Sequence, residues 1–374
     1  MLTYNGKVVT SPAGKWLSSD PYNPLYLPPY TIRLRYSDGV TPTFSKGTGV
    51  QVSASPNIWD LTYERSDWSL LLEGSIYGEP NYLLEVLGAN TTGVTTMYAM
   101  FSGCTLLETV ALFDTSSVTD MVGMFTNCYA LVTVPQFDTS SVTDMGGMFD
   151  SCESLVSVPM FDTSSITSMF QMFRGCRSLV SVPLFDMSSV TTMYGMFDDC
   201  ESLVSVPLFN TSSVTNMGGM FTECRSLVSV PLFNTSSVTS MRNMFLICES
   251  LVSVPLFDTS SVTDMGGMFS SCKSLVSVPL LDTSSATYMN SMFSSCESLV
   301  TVPLLDTSSA TNMNYMFERC YNVENGALAL YTQASSQATP PTSYTDCFLA
   351  CGTNTTTGAA ELAQIPSSWG GTGT

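Results

Sequence analysis

The 374-residue sequence predicts an α/β repeat solenoid of parallel strands and short helical turns, preceded by a small β-rich N-terminal domain. Three observations carry that prediction. Ten cysteines fall at 104, 128, 152, 176, 200, 224, 248, 272, 296 and 320, a step of 24 residues without a slip. Each interval holds two apolar periods, one suited to a strand and one to a single helix face. Residues 1–79 are not copies of the unit and stand outside the array.

Counted from its cysteine as position 1, the unit reads C-x-S-L-V-S-V-P-L-F-D-T-S-S-V-T-x-M-x-x-M-F-x-x, with nine full copies from Cys104 to Arg319. Within one copy, Leu203, Val206 and Leu208 have the L-x-x-L-x-L spacing of a leucine-rich strand. Met217, Met220, Phe221 and Cys224 follow at i, i+3, i+4 and i+7, one face of a short helix. Thr215 stands where an N-cap would. Gly218 and Gly219 weaken a long helix, so a single helical or 3₁₀ turn serves equally. Asn210-Thr-Ser-Ser between the two elements is turn chemistry.

Neither element can bury its apolar side alone, so successive units must stack. At about 4.8 Å per rung, ten or eleven rungs make a rod or shallow arc roughly 50 Å long. The frame extends back through 80–103, where Pro80 replaces the cysteine, and forward to Cys347-Phe348-x-x-Cys351 after seven extra residues. The expected domains are therefore 1–79 for attachment and capping, 80–351 for the solenoid, and 352–374 as a C-terminal tail. In the first of these, TIRLRYSDG (31–39) and GVQVSAS (49–55) alternate like strands around turns. Trp68, Leu71 and Leu72 have helical spacing and are expected to lid the first rung.

The motif C-x-x-L-x-x-V-x-L with M-x-x-M-F-x-x-C resembles the BspA-like leucine-rich repeats. The run FDTSSVTDM followed by MF and C is similar to the mycoplasma-type lipoprotein repeat of the same group. That resemblance covers about residues 80–351 and implies adhesion and surface recognition without catalysis. The opener MLTYNGKVVTSPAGKW resembles the starts of structural proteins in gut bacteriophages, which implies an N-terminal anchor with a distal rod on a virion.

Composition narrows the partners. A net charge of −19 with twelve Lys and Arg repels phosphate backbones, so nucleic acid is not expected. The chain holds no His, which removes the commonest general base and metal ligand. No apolar run is long enough for a membrane span, and the N-terminus does not read as a signal peptide. A virion or extracellular surface is the expected location. Acidic residues recur as ladders without a singular constellation, so the chain is expected to be no enzyme, with no cofactor and no metal site.

Stacking turns each position into a column. Twenty of the 23 Met and ten of the 20 Phe fall in the inward stripes and read as core. Stacked cysteines point the same way, which suits small buried hydrophobes better than disulfides; Cys347 and Cys351 read alike. The Asp column at position 11 (Asp114 to Asp306, with Asn210 and Asn234 inside it) is expected to hydrogen-bond into its own turns, with calcium as the lesser alternative. Position 2 alternates Glu153, Arg177, Glu201, Arg225, Glu249, Lys273 and Glu297, which would penalise a one-rung slip.

Copies differ at positions 17, 19, 20, 23 and 24, so recognition is expected there. The candidate ligand residues are Tyr98, Phe170, Tyr194, Arg242, Tyr288 and Tyr315, exposed aromatics and an arginine on one face. The partner would be a host cell-surface protein or glycan, with other virion subunits held through residues 1–79. The strand side, nearly invariant, suits a repetitive ligand such as a polysaccharide. The alternative is a purely structural virion component whose solenoid packs against other tail or capsid subunits.

Overall fold

One series of parallel bridges organises the molecule. It runs from Asp67 to Thr96, then through position 17 of every rung to Asn312 and finally Ser343. This is a computed structural model, and it describes residues 3–4, 7–8, 27, 30–44, 46–69, 71–72 and 82–373. Pro80 and most of the opener Met1–Trp16 lie outside the described residues. Of the opener, the structure describes the antiparallel pair β1 (Thr3–Tyr4) and β2 (Lys7–Val8).

The M-x-x-M-F segment is not a helix. In the unit beginning at Cys200, Met220 N donates to Met217 O (3.2 Å), Thr222 N to Gly219 O (3.1 Å) and Cys224 N to Phe221 O (3.1 Å). The alternate amides reach the next rung: Gly219 N to Arg242 O, Phe221 N to Met244 O and Glu223 N to Leu246 O, at 2.7 to 2.9 Å. Positions 20 and 24 are left-handed, as at Gly219 (φ 60°) and Glu223 (φ 57°), which breaks any helix within a turn. Position 20 is the third residue of a turn closed by the two methionines, where a type II turn needs positive φ and favours glycine. The apolar spacing of a helix is thus met by linked single turns.

The strand side also departs from the expectation. Position 8 is Pro in most rungs and has no N–H to donate. Cross-rung bonds there reduce to positions 3 and 5, as in Ser202 N to Arg177 O (3.1 Å) and Val204 N to Val180 O (3.5 Å). After the proline, Phe233 N folds back to Pro231 O at 3.0 Å, the bond of a γ-turn. That bend turns position 9 outward: Leu208, expected in the core, is 60% exposed, and Phe209 fills the inward place.

Inside, the expected core forms. All twenty stripe methionines are fully buried. Eleven phenylalanines from Phe101 to Phe348 stack with centroids 5.0–5.9 Å apart and planes within 18°. All twelve cysteines are buried. From Cys128 to Cys320 each S–H points to the carbonyl of the phenylalanine 27 residues earlier, as Cys224 Sγ to Phe197 O at 3.1 Å, while Cys104 Sγ reaches Leu72 O. A thiol fits because the site is apolar yet offers one acceptor, which a weak donor satisfies at little desolvation cost. Burial pushes these thiols well above their ordinary range, so they are poor nucleophiles.

Both ends are closed. β3 (Thr31–Tyr36), β4 (Thr48–Ala54), β5 (Asn57–Thr62), β6 (Leu83–Asn90) and β7 (Thr109–Val110) form one sheet in the order β4-β5-β3-β6-β7. β6 pairs antiparallel with β3 and parallel with β7, so one strand belongs to both the N-terminal sheet and the first rung. Arg33 holds Asp60 through two bonds of 2.7 Å across β3 and β5. Sequence reading found β3 and β4 but missed β5, whose NIWDLT was absorbed into the lid segment.

At the far end, α1 (Ala327–Ser335) takes up the inserted residues. The segment from 352, read as a tail, folds over the last rung as α2 (Thr356–Leu362) and a 3₁₀ turn at Ser367–Trp369. Thr355 caps α2 by accepting from Gly358 N at 3.0 Å. Trp369 closes the phenylalanine stack, 6.4 Å from Phe348 and stacked at 4.1 Å on Tyr344.

Candidate recognition face

The turn side of each rung presents positions 17, 19, 20, 23 and 24 between inward methionines and phenylalanine, and the structure gives them different tasks. Position 17 is a turn cap: Asp144 Oδ1 accepts from Gly146 N (2.8 Å), Asn216 Oδ1 from Gly218 N (2.8 Å) and Asp264 Oδ1 from Gly266 N (2.9 Å). Asp120, Ser168, Thr192 and Asn312 repeat the bond. Most of the variation at this position therefore swaps one cap for another. Thr215, expected as the cap, instead donates its hydroxyl to Thr191 O of the preceding rung at 3.2 Å.

Position 19 points outward. Tyr98, Phe170 and Tyr194 are 43–44% exposed, Tyr288 at position 17 is 49% exposed and Tyr315 at position 20 is 40% exposed. Arg242 lies on the same face and pairs with Asp264 at 3.6 Å. All six candidate residues are exposed on the turn side, but they do not form one cluster. Phe170 and Tyr194 stack at 5.6 Å with planes 11° apart. Tyr98 and Phe170 wall a groove of about 490 Å³ whose floor is Val122, Gly123, Gly146 and Gly147. Arg242, Tyr288 and Tyr315 lie farther along the rod.

The Asp column behaves as expected. Asp258 Oδ1 accepts from Ser260 N (3.1 Å) and Ser260 Oγ (2.6 Å), and Asn234 Oδ1 takes the same two bonds. A single acceptor oxygen suffices, which is why Asn substitutes freely. The serine hydroxyl, then the serine amide, hold Asp138, Asp258 and Asp282 below the ordinary carboxylate range.

Next to it lies a column that sequence reading passed over. Thr115, Thr139, Thr163, Thr211, Thr235, Thr259 and Thr283 are buried, and each hydroxyl donates to the position-11 carbonyl of the next rung at 2.7–2.8 Å. The signal was available, since position 12 departs from Thr in the nine copies only at Met187.

Charges at position 2 form the expected chain, with position 24 added. Arg177 reaches Glu153 (3.3 Å) and Glu201 (3.9 Å) but lies nearest Asp199 (2.9 Å). Glu249 takes both Arg225 (3.3 Å) and Lys273 (3.0 Å). These exposed pairs contribute little individually.

At position 23, Arg174 sits between Asp150 (3.6 Å) and Asp198 (3.7 Å). Burial raises the Asp198 carboxyl to about 6, with Arg174 opposing and Asp199, Glu223 and Asp150 adding to the rise. The folded state thus binds this proton more tightly than the unfolded chain. Its contribution is complete below about pH 4 and is lost as pH rises through about 6. Asp198→Asn is therefore expected to raise the unfolding free energy in urea at neutral pH by about 1 kcal/mol, discounted for partial exposure, and to change it little near pH 4. An equal effect at both pH values would contradict the assignment.

The strand side carries a second unforeseen feature. Val at position 5 is 44–47% exposed from Val132 to Val276, and the position-9 residues from Leu184 to Leu304 are 54–66% exposed. Two apolar columns therefore run along this face, one from Val132 to Val276 and one from Leu184 to Leu304. Among the described residues no helix is long and apolar enough to cross a membrane.

A family described as "Mycoplasma protein of unknown function, DUF285" matches residues 81–179, 155–254, 180–278 and 229–332, overlapping segments that span about two thirds of the chain. No curated protein matches. Among solved structures, the chain is similar to a leucine-rich repeat protein of T. pallidum, 26% identical over 39% of this chain and 67% of that one, with a TM-score of 0.30. A leucine-rich repeat protein from Eubacterium ventriosum is 16% identical over 70% and 81% of the two chains, with a TM-score of 0.36. TLR13 in its complex with ssRNA13 is 14% identical over 68% and 42%, with a TM-score of 0.25.

Proposed function

Because the chain belongs to the DUF285 family and folds as a leucine-rich-repeat solenoid, we propose that it is a non-catalytic recognition rod for a protein or glycan on a cell surface. The observation that carries this reading is the contrast between columns. Met, Phe and Cys repeat almost unchanged through the core, while position 19 runs Tyr98, Val122, Gly146, Phe170, Tyr194, Gly218, Arg242, Gly266, Asn290 and Asn314 along one side of the rod. Core packing does not ask for that variety, and exposed aromatics with arginine are what interfaces use as anchors.

Residues 1–79 would supply the attachment; among them β3 is joined to the rod by β6, which pairs with both β3 and β7. Display on a bacteriophage virion fits this layout and the resemblance of the opener. The net charge of −19 disfavours nucleic acid as the target.

Purified full-length protein is expected to bind bacterial cells saturably. A variant with Phe170, Tyr194, Arg242 and Tyr288 all changed to Ala should lose at least ten-fold in affinity while keeping its unfolding midpoint, because the side chains removed are exposed. Unchanged binding by that variant, or no binding by either protein, would overturn the reading and favour a rod covered by other virion subunits.

A further inference from the structure

Resting on the recognition reading, we infer that the groove between Tyr98 and Phe170 is a subsite for a neutral glycan. Its walls are aromatic and about three rungs apart, roughly 14 Å at strand spacing. Phe170 is backed by the stacked ring of Tyr194, their planes 11° apart, so that wall is two parallel rings deep. The floor is low because of a choice the backbone does not impose. Gly147 and Gly123 have φ near +60° and suit glycine, but Gly146 has no positive φ, and its position holds Tyr, Val or Phe in neighbouring rungs. A Cβ on Gly146 would approach nothing closer than Asp144 Oδ1 at 3.2 Å. Glycine here leaves open a slot that a side chain would fill.

The polar groups in the groove are of the kind that bind hydroxyls. Asp144 uses one carboxylate oxygen to cap Gly146 and has a second for a ligand. Gln171 brings an amide into the lining, at a left-handed φ of 52° that glycine adopts in the two rungs before it. Ser102 adds a hydroxyl, Ser168 Oγ accepts from Phe170 N (3.3 Å) and keeps its own proton to donate, and Thr126 Oγ1 donates to Gly147 O (2.9 Å) and keeps acceptor capacity.

An extended peptide is the poorer fit, because the amides around the groove are already taken. Gly123 N donates to Gly146 O (2.9 Å), Gly147 N to Phe170 O (2.9 Å) and Gln171 N to Tyr194 O (3.0 Å), so no strand edge is offered for pairing. Asp144, in a lining that holds no Lys or Arg, disfavours acidic sugars. Aromatic faces with hydroxyl-binding polar groups and no cation select an uncharged sugar that stacks one face and hydrogen-bonds at its rim.

The test is binding of the full-length protein to an array of neutral hexose and N-acetylhexosamine oligosaccharides beside sialylated and uronate-bearing ones. Capture of neutral members alone is expected, lost at least ten-fold on Gly146→Tyr and on Phe170→Ala. Gly266→Tyr, the same change at position 19 outside the groove, should leave capture unchanged. Retention by Gly146→Tyr and Phe170→Ala, preference for acidic sugars, or no capture overturns the inference. If cells are bound but neutral glycans are not, the subsite falls and the recognition reading stands. If neutral glycans are bound but cells are not, the reverse holds.

Discussion

Phe221→Ala is expected to destabilise the protein by about 3–5 kcal/mol, measured as a fall in unfolding free energy in urea. Phe221 is fully buried and stacks between Phe197 at 5.7 Å and Phe245 at 5.6 Å. Deletion of the ring costs its transfer free energy, the cavity left behind, and two aromatic contacts worth about 0.5–1.5 kcal/mol each. Collapse around the void is hindered because Met220, Met244 and Cys224 are held by backbone bonds on both sides. In a solenoid each rung touches only its neighbours, so the loss concentrates at two interfaces in mid-array. A cost under about 1 kcal/mol would mean that the rings do not pack as a continuous stack.

The second large effect is expected at the N-terminal end. Trp68 is fully buried, donates Nε1–H to Tyr63 O at 3.3 Å, and follows Asp67, which bridges to Thr96. Trp68 N donates to Thr96 O and Leu72 N to Met100 O, both at 2.9 Å. The Asp-Trp-x-x-Leu-Leu run thus takes the place of a cap-Met-x-x-Met-Phe turn, a half-rung with a step of 29 residues instead of 24. It covers the methionines that the first full rung would otherwise expose. Trp68→Ala should cost about 3–5 kcal/mol and strip amide-exchange protection from Met97 to Cys104 first. Protection lost evenly along the array, or not at all, would show that this half-rung does not cap the end.

How much of this was legible in the sequence depended on where each partner lies. The strip of Met217, Met220, Phe221 and Cys224 was readable because inward direction is written locally, and its copies confirm it rung by rung. The Asp turn was readable because its partners, the serine amide and hydroxyl, lie two residues on. The candidate face was readable as variation, although Tyr288 and Tyr315 came from positions 17 and 20 and lie apart from the Tyr98–Phe170 groove.

By itself, then, the sequence determined the period, the order of the columns, the identity of the core and the net charge of −19. Only the tertiary structure decided how the chain turns within each period. Amides alternate between their own turn and the next rung, and that alternation needs left-handed residues at positions 20 and 24 that composition does not announce: Glu223, Ile247 and Arg319 all adopt them. It also decided that Leu208 faces out, through the bend after proline, and that Gly146 opens a slot between two aromatic walls. The physical reason is common to these cases. Local periodicity says which side chains want burial, but a partner 24 residues away fixes where each backbone bond goes, and so which of the remaining side chains meet solvent.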